Sequence, residues 1–102
     1  MNGALELTTI DQLGDRSLAA FDASGEEVAI AVVHGAYYAF EDRCPHRGCS
    51  LAEGELAGTT VTCPCHGSEF DVVTGQRLAG PAPRDIRTYP VHVENGQLTI
   101  ER

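Results

Sequence analysis

Residues 44–68 of the chain read CPHRGCSLAEGELAGTTVTCPCHGS, and this stretch decides how the rest of the sequence is interpreted. It contains all four cysteines of the 102-residue chain and two of its four histidines, in two short segments at its ends. Proline and glycine lie within both segments, which favours tight loops over strands or helices. Such loops can direct several side chains toward one point, so the stretch predicts a metal site held by two loops.

Each segment supplies one cysteine and one histidine at close spacing. The first has Cys44 and His46, and the second has Cys63 and His66, with sixteen residues between His46 and Cys63. Two thiolates and two imidazoles suit tetrahedral zinc, and they also suit a two-iron cluster whose irons are ligated differently. A structural zinc site usually places a cysteine pair before a histidine pair, so the mixed order disfavours zinc. The residue types alone leave both metals open.

The full spacing resembles the signature of one family. Cys-x-His, sixteen residues, and Cys-x-x-His followed by Gly-Ser is similar to the motif of Rieske proteins and Rieske-type ferredoxins. The resemblance covers most of the chain and includes the Gly80-Pro81-Ala82-Pro83 loop. It implies an all-β Rieske fold of small antiparallel sheets or a sandwich, with two cluster-binding loops at one tip. It also implies one [2Fe–2S] cluster per chain.

The resemblance gives each of the four residues an expected role. Cys44 and Cys63 would bind one iron, while His46 and His66 would bind the other iron, near the surface. Neutral imidazoles in place of two anionic thiolates lower the negative charge at the outer iron. This favours the reduced state and implies a potential of roughly −150 to +300 mV.

Four further positions take their expected roles from the same resemblance. In high-potential members, the cysteines that match Cys49 and Cys65 form a disulfide between the loops. The hydroxyl that matches Ser68 bonds a cluster sulfide and raises the potential. A tyrosine often follows that serine by two residues, and Phe70 at this position predicts a lower potential. The disulfide is in tension with a cytoplasmic location, unless its own potential is low enough to resist glutathione.

Outside the two segments, apolar residues recur mostly with a period of two, in short runs separated by glycine, proline, asparagine and aspartate. This pattern is typical of an all-β domain. Two-residue hairpin turns are predicted at His34-Gly35 and Asn95-Gly96. A short turn is predicted at Thr74-Gly75, and the two prolines within residues 80–83 predict an irregular loop. We predict at most two helical turns over residues 9–13, and strands over residues 5–10, 17–22, 27–33, 36–41, 59–62, 70–71, 87–94 and 97–101.

Length and charge restrict the class of protein. The chain is long enough for one domain, residues 1–102, without a second folded unit. Lys+Arg total 7 against 15 Asp+Glu, and the net charge of −8 argues against nucleic acid and favours partners with basic patches. No segment approaches the roughly 20 apolar residues of a membrane span, and no signal-peptide pattern is present. We therefore expect a cytoplasmic protein.

A Rieske centre without room for a substrate domain is expected to be an electron carrier and not an enzyme. The leading hypothesis is a monomeric ferredoxin that passes single electrons from a flavin-dependent reductase to a terminal ring-hydroxylating oxygenase, as similar stand-alone ferredoxins do. A second hypothesis is a quinol-linked, respiratory-type Rieske subunit, which Cys49, Cys65 and Ser68 suggest. The sequence is also compatible with a structural zinc-binding interaction module and with a regulatory or assembly subunit of a larger enzyme.

Overall fold

The computed structural model describes residues 4–101 and confirms the all-β class. The helical segments in this range are α1 (Ile10–Leu13) and a 3₁₀ turn (Leu51–Glu53). Neither is long and apolar enough to cross a membrane. The strands are β1 (Ala4–Thr9), β2 (Leu18–Ala23), β3 (Glu26–Val33), β4 (Ala36–Glu41), β5 (Glu55–Ala57), β6 (Thr60–Thr62), β7 (Glu69–Asp71), β8 (Arg77–Ala79), β9 (Thr88–Tyr89), β10 (Val91–Glu94) and β11 (Gln97–Glu101).

The strands form three antiparallel sheets. Base sheet I has the order β1-β11-β10, base sheet II has the order β2-β3-β4-β9, and the loop sheet has the order β5-β6-β7-β8. Strands β4 and β9 are paired neighbours, and the whole loop sheet lies between them in the chain. The first loop (residues 43–50) leads from β4 toward the loop sheet, and the second loop (residues 63–68) joins β6 to β7. Both cysteine-containing segments are therefore held by the loop sheet.

Three hairpins turn through two residues that both have positive φ, the geometry that matches the twist of the paired strands. His34-Gly35 and Asn95-Gly96 form two of these turns, as predicted. Ser24-Gly25 forms the third, between β2 and β3. The sequence does not predict it, because serine is a less typical residue than asparagine at positive φ. The predicted turn at Thr74-Gly75 also forms, with Gly75 N–H donating to the Asp71 carbonyl at 2.7 Å.

Several predicted boundaries are wrong, each for a local reason. The predicted strand over residues 5–10 ends at Thr9, because the Thr9 hydroxyl caps α1 by accepting from Gln12 N–H at 3.0 Å. The predicted strand over 87–94 is two strands, since Pro90 has no N–H for the ladder. The sequence pattern predicts neither β5 nor β8. All three residues of β8 are exposed, so it lacks the alternation that marks a half-buried strand.

Strand β3 is the centre of the molecule. Val28, Ala29, Ile30 and Ala31 are all 0% exposed, although they point alternately to opposite faces of the sheet. Ala29 and Ala31 pack with the buried residues of the loop sheet. Val28 and Ile30 pack with the buried residues of base sheet I. Base sheet II is therefore the middle layer, and it gives the loop sheet a rigid support.

Candidate metal centre

The first loop is closed by its own backbone. Cys44 N–H donates to the Cys49 carbonyl at 2.9 Å, and Gly48 N–H donates back to the Cys44 carbonyl at 2.8 Å. Gly48 has a φ of 78°, a conformation that side-chain-bearing residues rarely adopt. These contacts hold the cysteine at the base of a tight turn and leave His46 at the top of it.

The second loop repeats the same pattern. Cys63 N–H donates to the Ser68 carbonyl at 2.8 Å, and Gly67 N–H donates to the Cys63 carbonyl at 3.2 Å. Gly67 has a φ of 80°, like its counterpart in the first loop. In both loops, the residue four positions after the cysteine donates its N–H to the cysteine carbonyl. The residue five positions after the cysteine accepts, through its carbonyl, from the cysteine N–H. The difference is that the histidine lies two residues after the cysteine in the first loop and three after it in the second.

Asp42 fixes the base of the first loop, and the motif analysis does not identify it. Its side chain is almost fully buried, at 1% exposure. Its carboxylate accepts from Ala52 N–H at 2.9 Å, and its carbonyl accepts from Leu51 N–H at 2.7 Å. A buried aspartate bonded to backbone on the far side of the loop keeps the two ends of the loop together. Its position two residues before Cys44 is the only sequence signal for this role.

The four candidate ligands separate into an inner and an outer pair. The thiols of Cys44 and Cys63 are buried, at 2% and 4% exposure, and belong to one core cluster. The His46 ring is half-buried and the His66 ring is exposed. The two ring centroids are 4.9 Å apart, with the rings nearly perpendicular at 84°. The structure thus places the two histidine rings side by side and both cysteines in one core cluster, and the binding of one centre by all four residues stays a prediction.

The inner pair has the donor atoms of a metal site. Burial raises the pKa of the Cys44 thiol above its ordinary value, and the adjacent Cys63 thiol contributes to the rise. Cysteine binds metals as the thiolate, so a positively charged centre beside the buried Cys44 thiol would favour the deprotonated form that binds it. A donor set of two inner thiolates and two outer imidazoles fits a [2Fe–2S] cluster with unequally ligated irons.

Cys49 and Cys65 form a disulfide that joins the two loops, as the family resemblance implies. Their Cα atoms are 6.5 Å apart, and the bond spans a sequence separation of 16 residues. The Sγ atoms of Cys49, Cys63 and Cys65 all lie within 4.8 Å of one another. The disulfide therefore lies close to the inner thiol of Cys63, where it can hold the two loops at a fixed separation.

Ser68 lies between the second loop and the proline loop (residues 80–83). It is 0% exposed, and its hydroxyl oxygen accepts from Ala82 N–H at 3.1 Å. A Cβ atom on Gly80 would clash with Ser68 Cα, and Gly80 has a φ of 101°. Only glycine permits the proline loop to lie so close to Ser68. The predicted irregular loop is therefore packed on Ser68 at the end of the second loop and is not an ordinary connection.

The remaining histidines and nearby arginines are peripheral. His34 lies in an exposed turn. His92 is exposed on β10 and contacts the Glu101 carboxylate at 2.7 Å. Arg43 pairs with Glu27 at 3.4 Å, and Arg47 is exposed beside His46. These residues do not enter the inner or the outer pair.

Comparisons with known proteins point to the same family. The model of the Rieske [2Fe-2S] domain family matches residues 4–90. The ferredoxin component of the naphthalene 1,2-dioxygenase/salicylate 5-hydroxylase systems of a Ralstonia species is 32% identical over 97 residues, which cover 95% of this chain and 93% of that protein. The ferredoxin of carbazole 1,9a-dioxygenase from Nocardioides aromaticivorans IC177 superposes with a TM-score of 0.86, at 30% identity and 95% coverage of both chains.

A third comparison is with a complex of reduced oxygenase and oxidized ferredoxin in carbazole 1,9a-dioxygenase. One of its chains superposes with a TM-score of 0.86 at 28% identity, covering 97% of this chain and 93% of that one. These relatives are ferredoxin components and not catalytic subunits, which agrees with the expectation of a carrier. The chain belongs to the Rieske [2Fe-2S] domain family and is a ferredoxin-type electron carrier with one [2Fe–2S] cluster.

Proposed function

We propose that this ferredoxin passes single electrons from a flavin-dependent reductase to a terminal ring-hydroxylating oxygenase. The observation that carries the proposal is the separation of an inner thiol pair from an outer, accessible imidazole pair. The [2Fe–2S] cluster supplies one-electron redox chemistry at a potential that its mixed ligation raises. In this assignment, Cys44 and Cys63 hold the inner iron, and His46 and His66 hold the outer iron.

The chain's own residues determine how electrons enter and leave. With the cluster bound, the buried thiols of Cys44 and Cys63 would keep water away from the iron they hold, and the exposed His66 would give a partner a short path to the other iron. The disulfide of Cys49 and Cys65 fixes the distance between the loops, so that the redox change needs little reorganisation of the ligands. The Ser68 hydroxyl oxygen accepts from Ala82 N–H, which leaves its proton available, and in this proposal Ser68 would donate that proton to the cluster.

The choice of partners rests on the relatives. One similar ferredoxin was solved in a complex with its oxygenase, and others are components of dioxygenase systems. These names favour an oxygenase acceptor over a quinol-linked subunit. The flavin reductase, a cytoplasmic location, a monomeric state and the treatment of residues 1–102 as one domain are parts of the same proposal. Weak, transient docking through the small tip suits a carrier with two partners.

The proposal is tested first by electron paramagnetic resonance of the dithionite-reduced protein, with iron and zinc counted on the same sample. We expect a rhombic signal with an average g near 1.9, about two irons per chain and no stoichiometric zinc. Electron transfer is then tested by adding a flavin reductase and a ring-hydroxylating oxygenase and following product formation. An absent signal with one zinc per chain would leave the fold intact but exclude electron transfer.

Ser68→Ala is expected to lower the midpoint potential by roughly 60 mV or more. The reason is that a hydrogen bond to a charged group contributes about 1.5–3 kcal/mol, and 59 mV corresponds to a tenfold change for one electron. The measurement is a redox titration followed by electron paramagnetic resonance. Ser50→Ala is the matched control, because Ser50 ends the first loop and its side chain makes no cap hydrogen bond. Equal potentials in both variants would contradict a role for the Ser68 hydroxyl.

A further inference from the structure

The segment from residue 80 to residue 87 joins the loop sheet to base sheet II across the metal centre. Its first part is packed on Ser68 through the close approach of Gly80 and the hydrogen bond from Ala82. Ala82 and Ile86 are both buried, at 3% and 4% exposure. The segment therefore lies against the core at two points, with the exposed Arg84 between them.

Arg84 connects this segment to the end of β4. Its two terminal guanidinium nitrogens each donate to one carboxylate oxygen of Glu41, both at 3.0 Å. The same carboxylate accepts from Arg87 N–H at 2.8 Å, so Glu41 binds the segment on both sides of Ile86. The Glu41 N–H also donates to the Arg87 carbonyl at 2.8 Å. Glu41 is thus bonded to the segment by side chain and backbone together.

This ion pair differs from the other arginine–carboxylate pairs in residues 4–101. The contacts of Arg43–Glu27 and Arg87–Glu26 are longer, at 3.4 and 3.3 Å, whereas Arg84–Glu41 has two parallel contacts at 3.0 Å. The Glu41 side chain is only 20% exposed. Bidentate, partly buried ion pairs fix the relative position of the two side chains more strongly than single exposed contacts do. Burial alone would raise the pKa of Glu41, but the hydrogen bonds from Arg84 and Arg87 hold that pKa below its ordinary value.

Glu41 also lies close to the first loop in the chain. It is the last residue of β4, and Asp42, which fixes the base of that loop, follows it directly. One carboxylate therefore connects the strand that leads to Cys44 with the loop that covers Ser68. The end of β4 and the segment that packs on Ser68 are linked here by contacts between residues 43 to 46 positions apart in sequence.

We propose that Glu41 and Arg84 are positioning residues for the metal centre: their ion pair holds the proline loop on Ser68 and limits access to the cluster. This inference rests on the proposed ligand assignment. When the pair is broken, the segment keeps its backbone bond to Glu41 but loses the contact that fixes Arg84. The Ala82 contact that orients the Ser68 hydroxyl then weakens, and chelators and water reach the cluster more readily. Neither side chain contacts the candidate ligands, so each acts through the loop.

The test uses the cluster-loaded protein and three variants: Glu41→Ala, Arg84→Ala and the double variant. The first measurement is the rate at which an iron chelator removes the cluster. We expect all three variants to lose it about tenfold faster than the wild type or more, with the double variant no faster than Glu41→Ala, because Glu41→Ala already breaks the Arg84 pair together with the Arg87 N–H contact. Equal rates in wild type and double variant, or effects that multiply in the double variant, would overturn the proposal.

The midpoint potential separates positioning from simple charge. Removal of a negative charge at Glu41 by itself raises the potential, and removal of a positive charge at Arg84 lowers it. The double variant leaves the net charge unchanged, so a lower potential in it reports the displaced loop alone. A wild-type potential in the double variant would overturn the positioning role.

Two further variants complete the experiment. Glu27→Ala removes a carboxylate from a neighbouring strand and breaks the Arg43 pair, so it is the charge-matched control for Glu41→Ala and is expected to leave the chelation rate unchanged. If the Glu41 variants fail to take up the cluster, Arg84→Ala and Arg84→Lys provide the test, because the Arg84 side chain is 57% exposed and its loss is tolerable for folding. Wild-type chelation rates in both would then overturn the proposal. None of these readouts needs an oxygenase, so failure of the proposed partner would be seen separately.

Discussion

Replacing His66 with cysteine is expected to lower the midpoint potential by a few hundred millivolts while the cluster is retained. The substitution adds an anionic thiolate at the outer iron, which stabilises the oxidised state. Mixed Cys/His ligation gives roughly −150 to +300 mV, whereas all-cysteine plant-type ferredoxins lie near −400 mV. The variant should also lose the rhombic signal with an average g near 1.9. A redox titration monitored by electron paramagnetic resonance, with iron counted on the same sample, measures both effects.

His92→Cys is the matched control for this substitution. It introduces the same residue at an exposed position on β10, away from the two loops. We expect its potential and spectrum to match those of the wild type. If His66→Cys retained two irons with an unchanged midpoint, His66 would not be a ligand.

Replacing both Cys49 and Cys65 with serine is expected to lower the free energy of unfolding by about 3 kcal/mol. A cross-link that closes a loop of about 15 residues restricts the unfolded chain by roughly that amount, and the separation here is 16 residues. The cluster should remain, because in our assignment neither cysteine binds iron. Urea unfolding of the cluster-loaded protein gives the stability, and electron paramagnetic resonance gives the ligation.

The same variant decides between two uses of these sulfur atoms. Since the sulfurs of Cys49, Cys63 and Cys65 lie within 4.8 Å of one another, a site made of these three thiols is the competing assignment. Under that assignment the double serine variant would bind no cluster. The matched control is the wild type treated with a phosphine reductant, which should lower its free energy of unfolding to that of the variant. The same treatment should leave the stability of the variant unchanged.

The sequence determines the chemistry of the centre because that chemistry is local. Each loop holds its cysteine and histidine within four residues, with the proline and glycine that a tight turn requires. The hairpin turns at His34-Gly35 and Asn95-Gly96 and most strands are predictable for the same reason. Alternation and turn residues act between neighbours in the chain. The short strands β5 and β8 are not predictable, since three residues with weak or no alternation carry too little signal.

The tertiary structure alone decides what surrounds the ligands. The Asp42 carboxylate accepts from Ala52 N–H, which is ten residues later in the sequence. The Ser68 hydroxyl accepts from Ala82 N–H, which is 14 residues later. The Arg84–Glu41 pair joins residues 43 apart. No periodicity or motif reports such contacts, because they exist only after base sheet II has brought β4 and β9 together on either side of the inserted loop sheet. The sequence therefore specifies which groups can bind the metal, and the packing of the sheets specifies how they are buried, covered and held.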